Sequence, residues 1–288
     1  MADRGFVDWN PNKRTLTRIE MVKAVLEEDK HYLPLTLRTL YYRCVGRHGY
    51  GKTDAHYQNL GYVVCKMRRS RMIDWESIRD DGIRRDEPYD FSNKTEFAAY
   101  LRELASDFRL QRQQGQGQYL VVWCESAGMV PQVAKVAHEY GVPVISSSGY
   151  DSLTAKLEAA EMPLRAGRNV TVLHIGDYDE DGLTIFRALQ EDVQAFAESF
   201  NCRIGFERIA VTPLQITQYQ LPAAPAKARR RSQSSNGIVV QAEALPFSTL
   251  LAIVRSEIET RMNMAIYREV LDREALDRAR IISMVEGL

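Results

Sequence analysis

The chain is poor in cysteine, has no excess of charge of either sign and contains no long apolar run. Without a secretory signal peptide, dispersed cysteines argue against a disulfide framework, and the absence of a C-x-x-C pair argues against a zinc ribbon. No apolar stretch is long enough to cross a bilayer, so we expect no membrane role. These features predict a cytoplasmic protein of a reducing compartment. The four cysteines are Cys44, Cys65, Cys124 and Cys202.

The charge balance does not exclude a nucleic-acid partner. The 288 residues include 38 Lys and Arg and 38 Asp and Glu, so the formal net charge is zero. Binding surfaces depend on local clusters of basic residues rather than on the sum. Hydrophobic residues make up 45% of the chain, which is enough to build a core, and the length suggests two domains.

The segment from 16 to 85 has the pattern of three short helices. Thr36 and Thr53 are good N-caps for the second and third helix. Three short helices in this order are typical of a helix-turn-helix or winged-helix module that binds DNA, and we assign this domain to residues 1–90. The expected buried stripes are Ile19, Val22, Val25 and Leu26, then Leu37, Leu40, Tyr41, Cys44 and Val45, and finally Tyr57, Leu60, Val64 and Met67.

Basic residues cluster at the end of the third helix and in a later polar loop. The third helical pattern, residues 54–73, contains "KMRRSR", and "LPAAPAKARRRSQSSNG" follows much later. We expect both segments to contact DNA phosphates. The alternative for the helix end is a solvated terminus that complements the helix dipole. The candidate DNA-binding residues are Lys66, Arg68, Arg69 and Arg71 in the helix and Arg229 and Arg230 in the loop.

A polar linker is predicted at residues 82–94 and a helix at residues 95–114. After them the sequence pattern changes. The runs "YLVVWCE", "VPVISSS", "NVTVLHIGD" and "CRIGFERIAV" are apolar throughout and alternate with helical patterns. This alternation predicts an α/β domain, residues 91–288, with a parallel sheet covered on both faces. The segment "IVVQAEAL" and two C-terminal helical patterns are expected to complete or cap the sheet domain.

Acidic residues follow two of the predicted strands. Glu125 ends one strand, and Asp177, Asp179 and Asp181 follow another. Ligands of open parallel sheets gather at the carboxyl ends of the strands, and paired carboxylates suit magnesium, with manganese as a substitute. A helix N-terminus rich in acids for dipole reasons would explain the later acids but not Glu125. A calcium loop is excluded because Ala188 stands where its final glutamate is required.

A glutamate at one strand end and "DxDxxG" at a later one resemble the Toprim domain of topoisomerases, primases and some nucleases. "IGDYDEDGLTI" is similar to the pattern "DxDPxGxxI", with Asp177, Asp179, Gly182 and Ile185 in place. Glu180 replaces the proline, and "WCESAG" replaces the usual "VEKD"-like stretch around Glu125. Asp181 is an additional acid that can join the metal site.

The N-terminal "LRTLYYR" is similar to the "RDIYY" motif of the topoisomerase VI A subunit and its meiotic double-strand-break relatives. Arg38 and the pair Tyr41 and Tyr42 are in register with that motif. In that family a winged-helix domain with the tyrosine precedes the Toprim domain, which is the order predicted here. The chain most resembles the short versions, without an ATPase subunit, of mobile elements and phages.

The resemblance implies a function for five residues. Tyr42 would attack a DNA phosphorus and form a 5′-phosphotyrosyl bond, Arg38 would stabilise the phenolate or the phosphate, and Glu125, Asp177 and Asp179 would hold magnesium. In the family the tyrosine and the metal come from different protomers, which implies a homodimer acting on double-stranded DNA near the nucleoid. Strand passage would require a separate B-type ATPase subunit. In the residue pattern Tyr41 lies on the apolar stripe of its helix, whereas Tyr42 lies off it.

The segment "GRHGYGKT", residues 46–53, also matches the phosphate-binding loop of nucleotide hydrolases. Such a loop must leave a buried strand, whereas the preceding segment has helical periodicity. We therefore interpret it as a turn between helices in which Lys52 contacts DNA, with ATP binding as the minor alternative.

The sequence is compatible with three functions. The first is tyrosine transesterification of DNA, and the second is metal-dependent hydrolysis of DNA in which Tyr42 takes no part. The third is DNA binding without cleavage.

Overall fold

A computed structural model describes residues 6–79, 88–146, 153–225 and 238–287. The chain has an α/β fold in which a helical N-terminal part is followed by a parallel sheet. None of the helices in these ranges is long and apolar enough to cross a membrane.

The N-terminal part consists of the predicted helices, α1 (Lys13–Glu28), α2 (Leu37–His48) and α3 (Asp54–Arg69). Their N-caps are Asn12, Thr36 and Thr53, and each cap side chain accepts a hydrogen bond from a backbone N–H of the first turn. The predicted stripes form one core, apart from Leu37 and Tyr57 at its margin.

Helix α3 ends at Arg69, four residues before the end of the predicted helical pattern. Ser70 forms the C-cap, and Arg71 adopts the left-handed conformation with a φ of 58°. The helical spacing of apolar residues continues past this point only because Met72 and Ile73 also pack against the core.

Helix α4 (Lys94–Ser106) packs along the long C-terminal helix α11 (Met264–Glu286). It ends at Ser106 with Asp107 as C-cap, eight residues before the end of the predicted helix, and beyond it the backbone N–H of Leu110 donates to the carboxylate of Glu274 in α11 over 3.0 Å. The following chain therefore leaves the helical path before the sheet begins.

The sheet contains β1 (Tyr119–Cys124), β2 (Val144–Ser146), β3 (Val170–Ile175) and β4 (Ile204–Ala210). Its order is β2-β1-β3-β4, and every pairing is parallel, as predicted. Cys124 pairs with Ile175, so β1 and β3 end side by side.

Helices cover both faces of the sheet. One face packs against α5 (Val130–Ala137) and α10 (Phe247–Arg261), and the other against α6 (Leu153–Ala160) and α8 (Glu180–Ser199). Alternate residues of β1 and β3 serve the two faces, which explains why these two central strands are buried almost throughout. The edge strand β4 is partly exposed and contains Glu207 and Arg208, so it is not apolar throughout as predicted. Two short helices, α7 (Met162–Ala166) and α9 (Pro213–Gln218), lie in the connections.

The segment after residue 238 caps the carboxyl edge of the sheet and does not extend it. The short strands β5 (Ala224–Pro225) and β6 (Ile238–Val239) form a separate antiparallel pair. Val240 and Tyr178 then exchange backbone hydrogen bonds of 2.8 and 3.0 Å. A 3-10 turn, Ala242–Ala244, follows and lies against α2.

This capping segment also joins the two predicted domains. Phe247, at the start of α10, is fully buried in the N-terminal core. Its ring lies 5.2 Å from that of Tyr32, and the guanidinium of Arg43 lies 4.1 Å from its centre. The N-terminal helices are therefore docked at the edge of the sheet where the predicted acids emerge.

Candidate functional site

Glu125 and Asp177 meet at the adjacent ends of β1 and β3. The backbone N–H of Glu125 donates to the carbonyl of Ile175 over 2.8 Å. Its carboxylate Oε2 accepts from the backbone N–H of Asp177 over 2.9 Å. A Cβ atom on Gly176 would lie only 2.7 Å from that Oε2, so the approach requires glycine.

Asp177 is a buried acid with an unusual proton affinity. Its Oδ1 accepts from the backbone N–H of Ala242 over 2.8 Å. Burial, together with the negative charges of Glu243 and Glu125, raises the pKa of Asp177 to about 7, while Ala242 and Arg38 oppose this shift. Carboxylates crowded in this way favour a bound cation or a shared proton.

The other predicted acids take different places. Asp179 is half-buried beyond Asp177. The pKa of Glu125 is raised, mainly by burial and further by the charge of Asp179, although the N–H of Asp177 opposes this. The side chain of Asp181 lies outside the described part of the chain, as do Arg229 and Arg230.

Glu243 is an acid of the site that the sequence pattern does not reveal. It lies in the 3-10 turn with no exposed side-chain surface, and its Oε1 accepts from Arg38 Nε over 3.1 Å. Its Oε2 has no hydrogen-bond partner within the described ranges. "QAEAL" carries no local motif, because only the tertiary fold brings this segment over the sheet edge.

Arg38 connects that acid to Tyr42. Its Nη2 donates to Gln241 Oε1 over 2.9 Å, and its Cζ lies 5.6 Å from the centre of the Tyr42 ring. The sequence pattern places Arg38 one helical turn before Tyr42, and in the structure the two side chains lie on the same side of α2. Gln241, like Glu243, comes from the capping segment.

Tyr42 is half-buried and lies in the field of the acids. Burial, with the charges of Glu243 and Asp177, raises the pKa of Tyr42 to about 12, and the charge of Arg38 opposes the shift. Tyr41, by contrast, is core: its hydroxyl donates to the carbonyls of Gly51 and Thr53 over 3.1 and 3.2 Å. The structure therefore separates the two tyrosines in the way that the helical stripe indicates.

Lys52 also lies near Tyr42, with its Nζ 5.8 Å from the ring centre. Burial lowers its pKa, and the charges of Asp177 and Glu243 oppose this. The segment 46–53 that carries Lys52 begins in the last turn of helix α2, which ends at His48, and not after a strand; Gly49 caps the helix with a left-handed φ of 63°, so the turn between the helices is confined to residues 49–53. This geometry argues against the phosphate-binding-loop interpretation.

Arg208 of β4 is a second residue that the motifs do not reveal. Its guanidinium donates to the carbonyl oxygens of Gly176, over 2.8 Å, and of Asp177, while its Nε donates to Val211 over 3.0 Å. Its positive charge also lowers the pKa of Glu125. Arg208 thus holds the turn that carries the acids, although it lies inside a strand where a charged residue gives no functional signal.

The basic end of α3 forms a different surface. Arg68 lies 4.1 Å from the centre of the Trp75 ring, Arg71 lies 4.4 Å from that of Phe6, and Lys66 lies 5.6 Å from that of Tyr62. The carbonyl of Arg69 accepts from the N–H of Val7 over 3.1 Å. These contacts are local to the helix end and do not reach Tyr42, in contrast to those of Lys52.

The acidic side chains of this site lie close together, but those that the structure describes do not by themselves complete a set of metal ligands. Within the residues that the structure describes, no three His, Cys, Asp or Glu side chains form a ready metal-binding group. No model of a known protein family matches the chain, and no curated protein matches it. Any assignment of function therefore depends on the geometry of four residues, Tyr42, Arg38, Asp177 and Glu243.

Proposed function

We propose that the chain cleaves double-stranded DNA by tyrosine transesterification, as topoisomerase VI A subunits do. The observation that carries the proposal is the link from Tyr42 through Arg38 to Glu243 and Asp177. A phenol, two cations and several carboxylates then occupy one site built by both halves of the chain. Such a set contains a nucleophile, phosphate-binding groups and metal ligands.

The architecture supports this assignment at a coarser level. A helical N-terminal part precedes a parallel α/β sheet whose strand ends carry Glu125 and Asp177. In our proposal the first part is a winged-helix DNA-binding domain, and the second is a Toprim domain. The basic end of α3 would contact phosphates away from the cleavage site.

The residues fit a divalent cation. Glu243 Oε2 is buried and has no hydrogen-bond partner among the described residues, and the pKa of Asp177 is raised to about 7 by burial and neighbouring acids. Arg38 pairs with Glu243 Oε1, but the crowded carboxylates around Asp177 still carry negative charge that a bound cation would stabilise. Magnesium commonly uses only one or two carboxylates and takes its other ligands from water and phosphate oxygens. Asp177, Glu125 and Asp179 would therefore hold Mg²⁺ or Mn²⁺, and Glu243 would contribute charge.

The chain's own residues would carry out the following chemistry. Arg38 and Lys52 both lie near the Tyr42 ring and would bind the scissile phosphate through charge-assisted hydrogen bonds. They would also stabilise the phenolate, which burial alone disfavours. The phenol would lose its proton to solvent, and its oxygen would bond to phosphorus as the bond from phosphorus to the 3′ oxygen breaks. The 3′ oxygen would take up a proton from solvent, so that the step is balanced. A bound metal ion would neutralise charge on the phosphoryl group.

Cleavage of both strands would require two active sites. We therefore include a homodimer in the proposal, with a separate B-type ATPase subunit needed for strand passage. In each chain Tyr42 is close enough to its own Asp177 for the aspartate charge to raise the tyrosine pKa. In our proposal each active site therefore takes its tyrosine and its acids from one chain, which differs from the exchange between protomers that the resemblance implies.

A covalent-trapping assay tests the proposal. Protein and supercoiled plasmid are incubated with Mg²⁺ or Mn²⁺, quenched with detergent and compared with and without proteinase. We expect protein-linked DNA ends that disappear in Tyr42→Phe and persist in Tyr62→Phe, which removes an exposed hydroxyl from α3. Protein-free ends in the wild type would contradict transesterification.

The raised pKa of Tyr42 favours one second candidate, a metal-dependent nuclease that uses water. A phenol whose pKa is about 12 is a poor nucleophile at neutral pH before DNA binds. Under this candidate, Tyr42→Phe retains cleavage and Asp177→Asn loses it. DNA binding that falls steeply with salt, without any metal-dependent product, would leave only a binding protein.

A further inference from the structure

A second cleft lies at the opposite edge of the sheet from Glu125 and Asp177. Its volume is about 710 Å³, and its walls come from the segments that precede β1, β2 and β3. These segments meet where the parallel strands begin, whereas the acids follow the strand ends. The six residues of β1 separate the two sites by roughly 20 Å.

Arginines dominate the polar lining of this cleft. Arg109, Arg112, Arg165 and Arg168 all line it. Arg112 is neutralised, since its Nη2 lies 2.6 Å from Glu274 Oε1. Within the described ranges, the other three form no ion pair with a carboxylate. Positive charges that line one cleft without a counter-charge favour the binding of an anion there.

The chain nevertheless holds two of these arginines in position. Arg168 Nη1 donates to the carbonyl of Gln116 over 3.4 Å, and its guanidinium lies 5.5 Å from the centre of the Tyr119 ring. Arg165 donates to the carbonyl of Glu158. A carbonyl oxygen orients a guanidinium but has no negative charge that would neutralise it.

Arg168 also carries an unmet hydrogen-bonding need. Its Nε is buried and has no partner in the part of the chain that the structure describes. An unpaired buried donor is unfavourable, and more so when the group is charged. An acceptor from a ligand would remove that cost.

The rest of the lining is apolar and would suit a flat ring. Val121 and Ile145 reach the cleft from the sheet, Met162 comes from α7, and Tyr119 supplies an aromatic face. Ligand sites commonly combine such an apolar wall with a few fixed polar groups, at volumes of about 300–1,000 Å³. A molecule that carries both phosphate and a planar base matches both halves of this lining.

We propose that this cleft binds a nucleotide, with its phosphates on Arg109, Arg165 and Arg168 and its base against the apolar wall. The site is separate from the turn at residues 46–53 and from the acids that follow β1 and β3. It requires no DNA and no metal, so it is independent of the proposed cleavage reaction.

Binding of ATP to the full chain tests this directly, by calorimetry in EDTA. EDTA prevents a metal at the acids from recruiting the phosphates. We expect Arg165→Ala and Arg168→Ala each to weaken ATP binding at least about tenfold, because each removes a charge-assisted contact. Arg14→Ala removes an exposed arginine from α1 and should leave binding unchanged.

Two further probes separate the parts of the ligand. Adenosine, which lacks phosphate, and tripolyphosphate, which lacks a base, should both bind more weakly than ATP. Tripolyphosphate that equals ATP would overturn the assignment of the apolar wall. Binding that survives Arg168→Ala but is lost in Lys52→Ala would place the nucleotide at the turn instead, and no ATP binding at millimolar concentration would also overturn the proposal.

Discussion

Arg38 donates from its Nε to Glu243 Oε1 over 3.1 Å, which joins helix α2 to the segment that caps the sheet. The two residues come from opposite halves of the chain, and Glu243 has no exposed side-chain surface. Because Arg38 also lies 5.6 Å from the Tyr42 ring, this ion pair fixes the tyrosine relative to Asp177. The position of the candidate nucleophile thus depends on a residue outside both recognised motifs.

Glu243→Gln should reduce cleavage by at least about tenfold, with little loss of stability. The glutamine amide keeps the shape of the side chain and an acceptor for Arg38. It removes the negative charge of Glu243, which repels the other acids and attracts a cation. We expect a higher Mg²⁺ concentration for half-maximal rate, measured by protein-linked plasmid ends. Glu20→Gln, an exposed change on α1, is the control. Unchanged rate and metal dependence would remove Glu243 from the site.

The local sequence predicts the strands and the helix that position this site, but it does not identify several of the residues in the site. The apolar runs before Glu125 and Asp177 predict buried parallel strands, and strand ends predict that these two acids meet. Glu243 and Arg208 give no such signal, because their roles arise only when distant segments pack together. The period of apolar residues likewise cannot show that the chain after α4 is held by Glu274 of α11, which accepts from the N–H of Leu110.

Gly176→Ala should impair both folding and cleavage. A Cβ at this position would lie 2.5 Å from His174 Cε1 and 2.7 Å from Glu125 Oε2, so the strand end must shift. Overpacking of this kind costs about 1–3 kcal/mol of unfolding free energy, which urea denaturation measures. Gly117→Ala is the matched control, since nothing lies within 4 Å of its added Cβ. Equal stability of the two variants would contradict the close packing at Gly176.

Arg43 is expected to stabilise the joint between the two halves. It is 2% exposed, its Nε lies 3.2 Å from Asp29 Oδ2, and its Nη1 donates to the carbonyl of Leu245. Arg43→Ala leaves buried Asp29 with Arg47 as its one remaining ion-pair partner among the described residues, so we expect a loss of roughly 3 kcal/mol in unfolding free energy.

A double-mutant cycle separates this charge pairing from the lost packing against Phe247. Asp29→Asn combined with Arg43→Ala should cost clearly less than the sum of the two single changes, by about 1 kcal/mol or more. Chemical denaturation of the four proteins gives the coupling energy. Strict additivity would show that the buried pair contributes nothing of its own.

Glu274 should make stability fall in acid. Burial acts to raise its pKa, but hydrogen bonds from Arg112 and from the N–H of Leu110, with the charges of Arg112 and Arg278, lower it below the usual value of 4.5. The unfolded chain therefore binds the proton first as pH falls. The stabilisation from Glu274 is present above about pH 4.5 and is lost as pH falls through its lowered native pKa.

Urea denaturation at a series of pH values measures this dependence. Glu274→Gln should be less stable than the wild type at pH 7, because it loses the charge that Arg112 and Arg278 share, and the difference should shrink below pH 4.5. Glu269→Gln, an exposed change on the same helix, should match the wild-type curve. A constant difference between Glu274→Gln and the wild type from pH 7 to pH 3 would contradict the lowered pKa. It would assign the role of Glu274 to hydrogen-bond geometry, which the amide only partly reproduces, rather than to its charge.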